Sequence, residues 1–315
     1  MQPKLGKIFV TADDPAFLEA EVEPAKELFS IGEINVKELR QEYIRRQQNY
    51  DTTPFDPEGK TLRLFPSGVT IWSGFPGTGK TTLLRQLVCH LMHKSNGVFL
   101  ASLEEEPMDV FYRLACVALG TNDPSEDGLQ WCVDCWCDRL RLWGGSGIGR
   151  SAQLLAAIRV FAREGVRHAV IDSLMCLDVH NGDWEGQRQF ANAMRHTART
   201  SGVHIHLVAH PRKLVSADQE PDLNDVAGAR EIGGLADNIL FVRRNPSAEI
   251  PSGIATPMRV KVAKQRYFNG AQGDISGWFN RNAKQFKVDQ FDDSVTPYLP
   301  LEAYGERKTV HEWWQ

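Results

Sequence analysis

Between about 68 and 287, short apolar and β-branched runs alternate with longer stretches whose apolar positions recur at helical spacing. The runs at 69–72, 97–102, 168–172, 204–209, 238–242 and 258–264 are predicted strands, and their alternation with helices predicts an α/β fold with a largely parallel sheet. The last run and the residues after it form a predicted hairpin, with Asn269-Gly270 and Gly273 in its turn region. Residues 126–140 are predicted as a helix leading into a short strand at 139–143. Upstream, Ile34, Val36, Leu39 and Tyr43 make one apolar stripe on an otherwise charged helix at 33–50. Pro54, Pro57 and Gly59 then break the chain, so this helix is tethered to the main domain rather than built into it. Its stripe must be covered either by its own domain or by a neighbouring subunit. The expected organisation is therefore an acidic segment of loops and one helix near 15–29 (1–32), a linker helix and tether (33–60), the main domain (61–287) and an unpatterned tail ending in HEWWQ (288–315).

Composition changes this picture little. The chain of 315 residues is 42% hydrophobic and 24% charged, which is ordinary for a globular protein with a sizeable core. A net charge of −4 and a sequence pI near 6.2 mean that any nucleic-acid contact must come from a local basic patch. No apolar run is long enough to span a bilayer and the first residues lack a signal-peptide core. The expectation is a cytoplasmic or nucleoid-associated protein with no membrane partner, the mitochondrial matrix remaining open. Cys132, Cys135 and Cys137 have no second ligand pair elsewhere, so a helix is expected there rather than a zinc site.

The chemistry begins at GFPGTGKTT, residues 74–82, which lies between an apolar strand and a helix and fits G-x-x-x-x-G-K-[ST]. Gly74, Gly77 and Gly79, with Thr78 and Thr82, let backbone N–H groups face phosphates at a helix N-terminus. Lys80 is expected on the β- and γ-phosphates and the Thr81 hydroxyl on Mg²⁺. Such a site calls for a carboxylate at a nearby strand end, and HAVIDS supplies Asp172. The next residue is Ser173 rather than a second acid, so the water-activating carboxylate must come from elsewhere. Of the three acids ending GVFLASLEEE, Glu104 emerges first from the strand and is the expected general base; Glu105 and Glu106 suit the first turn of the next helix. His210, at the end of HIHLVAH, is placed to sense the γ-phosphate, while His204 and His206 are expected to pack.

Together GFPGTGKTT, ASLEEEP, HAVIDS, LVAHPRK, DVAGAREIGGLADNILFVRRN and KVAKQRYFNGAQGDISGWFN resemble, in order and spacing, the DnaB-like replicative helicases of the Twinkle and phage primase-helicase type. The resemblance covers about 33–287. It implies a RecA-like P-loop NTPase, preceded by a linker helix that docks on the adjacent subunit. It further implies rings of six or seven subunits that hydrolyse ATP, or another NTP or dNTP, with Mg²⁺. Such rings move 5′ to 3′ on single-stranded DNA and unwind duplex, with a primase or polymerase as further candidate partners. Each nucleotide would lie between two subunits, with Glu104 as base, His210 as sensor, and Lys264 and Arg266 acting across the interface. Arg244 matches the base-stacking arginine, with Arg243 competing; DNA-facing segments map to about 177–188, 211–224 and 225–232, where Arg212, Lys213 and Arg230 are the available cations. Two departures stand out: Gly233-Gly234 occupies a place where the family often has Gln, and no primase or zinc-binding region is present. The chain is thus expected to be either a trimmed piece or a stand-alone helicase. The alternatives are a RadA- or KaiC-like RecA-fold ATPase, or a non-hydrolysing P-loop interaction module.

Overall fold

The computed structural model describes residues 9–10, 35–144, 150–179, 183–211, 221, 223–226, 230–244, 255–267, 272–288 and 294–299. Its strands are β1 (Phe9–Val10), β2 (Val69–Ser73), β3 (Gly97–Ser102), β4 (Leu140–Trp143), β5 (Val166–Asp172), β6 (His204–Val208), β7 (Asn238–Arg244), β8 (Ala255–Gln265), β9 (Gly273–Asn280) and β10 (Gln285–Lys287). The helices are α1 (Val36–Gln48), α2 (Lys80–His93), α3 (Pro107–Leu119), α4 (Glu126–Trp136), α5 (Ser151–Arg163), α6 (Trp184–Ser201) and α7 (Arg230–Leu235). All ten strands join one sheet in the order β1-β4-β3-β5-β6-β2-β7-β8-β9-β10. The first seven in that order pair in parallel and the last three add antiparallel.

The central strands are almost entirely buried and mostly apolar because helices cover both faces of the sheet. Trp72, Val98, Leu100, Val170 and Val208 pack with α2, α3 and α4, while Val69, Ile71, Phe99, Ala101 and Ile171 pack with α5 and α6. The RecA-like α/β expectation therefore holds, with β2 in the interior of the sheet between β6 and β7. That position delivers the residues after Ser73 to the carboxyl edge, beside the ends of β3, β5 and β6.

Several expected boundaries shift. β7 runs two residues beyond the predicted 242, and Gly273 is the first residue of β9, paired with Val262, rather than part of the turn. Phe9–Val10 adds a strand to an edge expected to be all loop and helix at that end of the chain. The tether is not loose: Phe55, Leu62 and Leu64 are buried in the α2-side core, and Phe55 meets Trp72 and Phe286 edge to face. Nor does the domain stop at 287, because Tyr298 and Leu299 join the same core and the Tyr298 hydroxyl accepts from Gln86 Nε2 at 2.9 Å. The expected helix at 15–29 and the terminal HEWWQ lie outside the described residues.

Helix α1 starts at Asn35, whose side chain accepts from the Lys37 and Glu38 N–H groups, and it buries none of its residues. Val36, Leu39, Tyr43 and Ile44 are all exposed, so among the described residues nothing of its own domain covers this part of the stripe.

Candidate active site

The loop after β2 is shaped by its glycines. A Cβ on Gly74 would collide with the Val242 carbonyl oxygen, and Gly79, at φ +94°, has Met258 Cε 3.0 Å from where a Cβ would stand. Gly79 is also the N-cap of α2 and offers no side chain to its free N–H groups, which stay available to an anion. Lys80 opens that helix and is buried; its Nζ donates to the carbonyls of Gly74 at 2.7 Å and Phe75 at 2.9 Å. Burial pushes its ammonium below the usual lysine range, opposed by the charges of Asp172 and Glu104. Within the loop, Thr78 Oγ1 donates to Phe75 O at 2.8 Å, and the exposed Arg244 reaches back from β7 to donate to Gly77 O at 3.1 Å. Arg244 is thus the arginine of the pair 243–244 with a bond to the phosphate loop, and Thr82 follows on the first turn of α2.

The predicted metal pair is brought together. Thr81 Oγ1 donates to Asp172 Oδ2 at 2.8 Å, joining the first turn of α2 to the end of β5. Burial pushes the Asp172 carboxyl up, the Thr81 hydroxyl bond opposes this, and the neighbouring Glu104 charge adds to the rise. A carboxylate with a hydroxyl is a hard oxygen pair that suits Mg²⁺, whose remaining ligands would be phosphate and water. Among the described residues, no group of three His, Cys, Asp or Glu side chains is gathered as a metal site, and all six cysteines are free.

The three acids after β3 separate cleanly. Glu105 is paired with Arg85 and lies 3.6 Å from Arg113, and Glu106 is the N-cap residue of α3. Glu104 is exposed at the same sheet edge as Asp172, since β3 and β5 are in register at Ser102 and Asp172. His210 follows β6 at this edge; its Nδ1 is buried without a hydrogen-bond partner, and burial and the Lys80 charge push its pKa down. Lys80, Thr81, Glu104, Asp172 and His210 therefore share one edge.

Lys264 and Arg266 do not belong to that cluster. Their end of β8 pairs with the start of β7: Arg266 N donates to Asp237 O at 2.7 Å, and Asp237 N donates to Val69 O at 2.8 Å, at the beginning of β2. Arg266 thus sits at the amino edge of the parallel strands, a full strand length from the phosphate loop, whereas the Lys264 backbone is level with Ile239 and Ile71 in mid-strand and its ammonium reaches the carbonyls that precede β7. Lys264 Nζ donates to Gly233 O at 2.9 Å and Gly234 O at 3.1 Å, and Arg266 Nη2 donates to Gly234 O at 2.8 Å. A Cβ on Gly234 would meet nothing within 4 Å, so the Gly233-Gly234 pair is no steric requirement of the fold at that residue. Arg212 and Lys213 lie outside the described residues; Arg230 opens α7 and its side chain is not described.

Two residues, one at each edge of the sheet, have structural work that escaped the sequence pattern. Asp237 is a buried carboxylate that accepts from Val69 N at 2.9 Å and is paired with Arg195. Its partners are 168 and 42 positions away, so no local signal could have found them. Ser173, noted only as a missing acid, donates its hydroxyl to Glu104 Oε1 at 2.8 Å.

Residues 53–215, just over half of the chain, match the family model described as AAA domain. The chain is 24% identical over 257 residues to the Twinkle homolog protein, chloroplastic/mitochondrial, of Arabidopsis thaliana, which covers 75% of this chain and 35% of that protein. It thus spans about a third of the length of that relative. Among solved structures, one chain described as an ATPase domain superposes with a TM-score of 0.68 at 19% identity, over 80% of this chain and 96% of that one. A DnaB-like replicative helicase, described with its interactions with primase, superposes with a TM-score of 0.69 at 19% identity, over 82% and 68% of the two chains. At that identity these likenesses establish the fold alone, a RecA-like α/β fold shared with both chains. Among the described residues, no helix is long and apolar enough to cross a membrane.

Proposed function

The chain belongs to the AAA domain family, and from that premise we propose that it is the motor of a DnaB-like, Twinkle-type replicative DNA helicase, hydrolysing ATP or another NTP at sites shared between subunits of a ring. Gly74 to Thr82 cradle the phosphates, Lys80 leaves its two loop carbonyls for the β- and γ-phosphates, and Arg244 flanks the base. Thr81 and Asp172 would hold Mg²⁺, which supplies charge neutralisation at the phosphates when bound. Glu104 accepts the proton of the attacking water and His210 meets the γ-phosphate. Lys264 and Arg266 of a neighbouring subunit complete the site by stabilising charge on the transferring group.

The observation that carries this reading is the separation of the two halves of the machinery across one sheet. Asp237 and Arg266 are level with Val69, and the phosphate loop begins five residues later at Gly74. At about 3.3 Å per residue that is roughly 15 Å or more, beyond the reach of an arginine directed the other way. A lone chain therefore cannot use its own Arg266 on its own nucleotide, whereas a head-to-tail ring can. The uncovered stripe of α1 supports the same arrangement, because a neighbouring subunit is the surface it needs. Movement 5′ to 3′, DNA contact through Arg212, Lys213 and Arg230, and association with a primase complete the proposal.

The test is DNA-stimulated hydrolysis and strand displacement by the full chain, with electron microscopy in the presence of nucleotide and single-stranded DNA. Rings that unwind a 5′-tailed duplex, and Lys80→Ala rings that neither hydrolyse nor unwind, are expected. Near-normal hydrolysis by Lys80→Ala would sink the phosphate-loop assignment. Hydrolysis indifferent to DNA would favour a regulatory RecA-fold ATPase instead.

A further inference from the structure

Where a second acid would hold the attacking water, this chain has Ser173, and its hydroxyl is committed elsewhere. Ser173 is 1% exposed and donates to Glu104 Oε1 at 2.8 Å. The Cys176 thiol, one 3₁₀ turn later, approaches the same oxygen at 3.7 Å and lies 4.0 Å from Ser173 Oγ. The frame behind the contact is rigid: Ser102 and Asp172 are in register, and Leu103 N donates to Asp172 O at 2.7 Å. Ser173 and Glu104 thus face each other one residue beyond two locked positions. Glu104 itself is exposed at the tip of its strand, and a long carboxylate there samples several rotamers unless something holds it.

We propose that Ser173 is a positioning residue for Glu104, fixing Oε1 so that Oε2 stays directed to the water that attacks the γ-phosphate. The inference rests on the proposed role of Glu104 as general base. Oε1 takes the hydroxyl and the thiol, while Oε2 has no protein donor among the described residues. One oxygen is anchored and the other keeps its lone pairs for the proton. In this chain, then, the serine after the strand-end aspartate does indirectly what an acid at that place would do directly.

The experiment is steady-state hydrolysis by the full chain with saturating single-stranded DNA and Mg²⁺, varying ATP. Ser173→Ala should lower kcat on the order of tenfold to a hundredfold, the scale of a displaced catalytic group, with KM for ATP and nucleotide affinity little changed. Ser173→Thr and Ser173→Cys, which keep a donor, should recover part of the loss, with melting curves confirming that each variant folds. In single-turnover hydrolysis, adding Ser173→Ala to Glu104→Gln should cause no further slowing. A wild-type kcat in Ser173→Ala, or an equal further loss in the Glu104→Gln background, would overturn the positioning role while leaving Glu104 as the base. Substantial turnover by Glu104→Gln alone would remove the base assignment, and the positioning role with it.

Discussion

Arg266 Nη1 lies 3.3 Å from Asp237 Oδ1, so the arginine assigned to a neighbour's nucleotide is parked against a buried carboxylate of its own chain. The other oxygen of Asp237 is already taken by Val69 N–H and Arg195, both of them interior contacts. The two ion pairs of this one acid therefore have different weights. Arg195 and Asp237 are almost fully buried, and removing one partner strands the other's charge, which costs about 3–5 kcal/mol. The Arg266 side chain is 36% exposed, and such a pair contributes about 0–1 kcal/mol. Urea unfolding should accordingly show Asp237→Ala strongly destabilised and Arg266→Ala within about 1 kcal/mol of the parent chain. Equal losses in the two variants would contradict this division and make Arg266 a structural residue.

Among the acids that follow β3, the geometry separates the proposed base, Glu104, from an ion-paired acid, Glu105. Glu105 is tied to Arg85, which is itself nearly buried on α2, and to the flank of α3 through Arg113. Glu104 carries no ion pair among the described residues. Glu104→Gln should bind nucleotide and lose nearly all turnover, since an amide cannot accept the proton of water. Glu105→Gln should retain turnover and melt at a lower temperature. An active Glu104→Gln beside a dead Glu105→Gln would reverse the assignment.

Beneath the site, β5 and β6 carry a hydrogen-bonded relay whose polarity fixes its protons. Trp72 Nε1 donates to His206 Nδ1 at 3.2 Å, His206 Nε2 then donates to His168 Nδ1 at 3.2 Å, and His168 Nε2 to Asp51 Oδ2 at 3.0 Å. Beside it, His204 Nδ1 must donate to Phe65 O at 2.6 Å, leaving Nε2 to accept from Thr70 Oγ1 at 2.7 Å. Burial, then the nearby His168, pushes His204 down to about 3; burial, then His204, drives His206 well below the usual range; and burial takes His90 down to about 4. In the unfolded chain these rings protonate near pH 6.5. Between there and about pH 4 the unfolded state binds more protons, so stability is complete above pH 6.5 and falls as pH drops, by about 1.4 kcal/mol per pH unit per ring. Unfolding free energies measured from pH 7 to pH 4.5 should show this slope, and His204→Asn should make it shallower by one ring's share. An unchanged slope in His204→Asn would mean that His204 keeps its proton in the folded chain.

What the sequence could reveal followed the range of the interactions. The convergence of the phosphate loop, Asp172 and Glu104 at one sheet edge was legible because strand, turn and helix signals are local. The interior strands β2, β3, β5, β6 and β7 were legible because burial on both faces leaves a largely apolar run, and β8 because Met258, Val260 and Val262 alternate with Arg259 and Lys261. The packing of 51–65 and of Tyr298 was hidden, since Phe55 reaches Trp72 and Phe286, and Gln86 reaches across 212 positions to Tyr298. Composition there reads as a proline-broken tether and an unpatterned tail. His204 and His206 were expected to pack, and they do, but the relay with His168 and Asp51 depends on strand register that no single strand displays. Lys264 and Arg266 came from the resemblance alone; their place on the sheet needed the pairing of β8 with β7.

That placement makes the ring mechanism directly testable. If Arg266 serves the neighbour's nucleotide, each site combines Glu104 from one chain with Arg266 from the next. Arg266→Ala should then lower turnover by a factor on the order of 10³ to 10⁵, as loss of an arginine finger does elsewhere, while the chain stays folded. Glu104→Gln should be nearly dead as well. When the two inactive proteins are mixed under conditions of subunit exchange, some interfaces pair an intact Glu104 with an intact Arg266 across the seam. Those interfaces should hydrolyse, with recovery rising as mixing approaches equal proportions. If Arg266 acted within its own chain, every site in the mixture would carry a lesion and no proportion would restore activity. Absence of recovery, with exchange confirmed by a labelled subunit, would therefore remove Arg266 from the neighbour's site. The sheet geometry forbids it from reaching its own, so that outcome would leave it out of the reaction altogether.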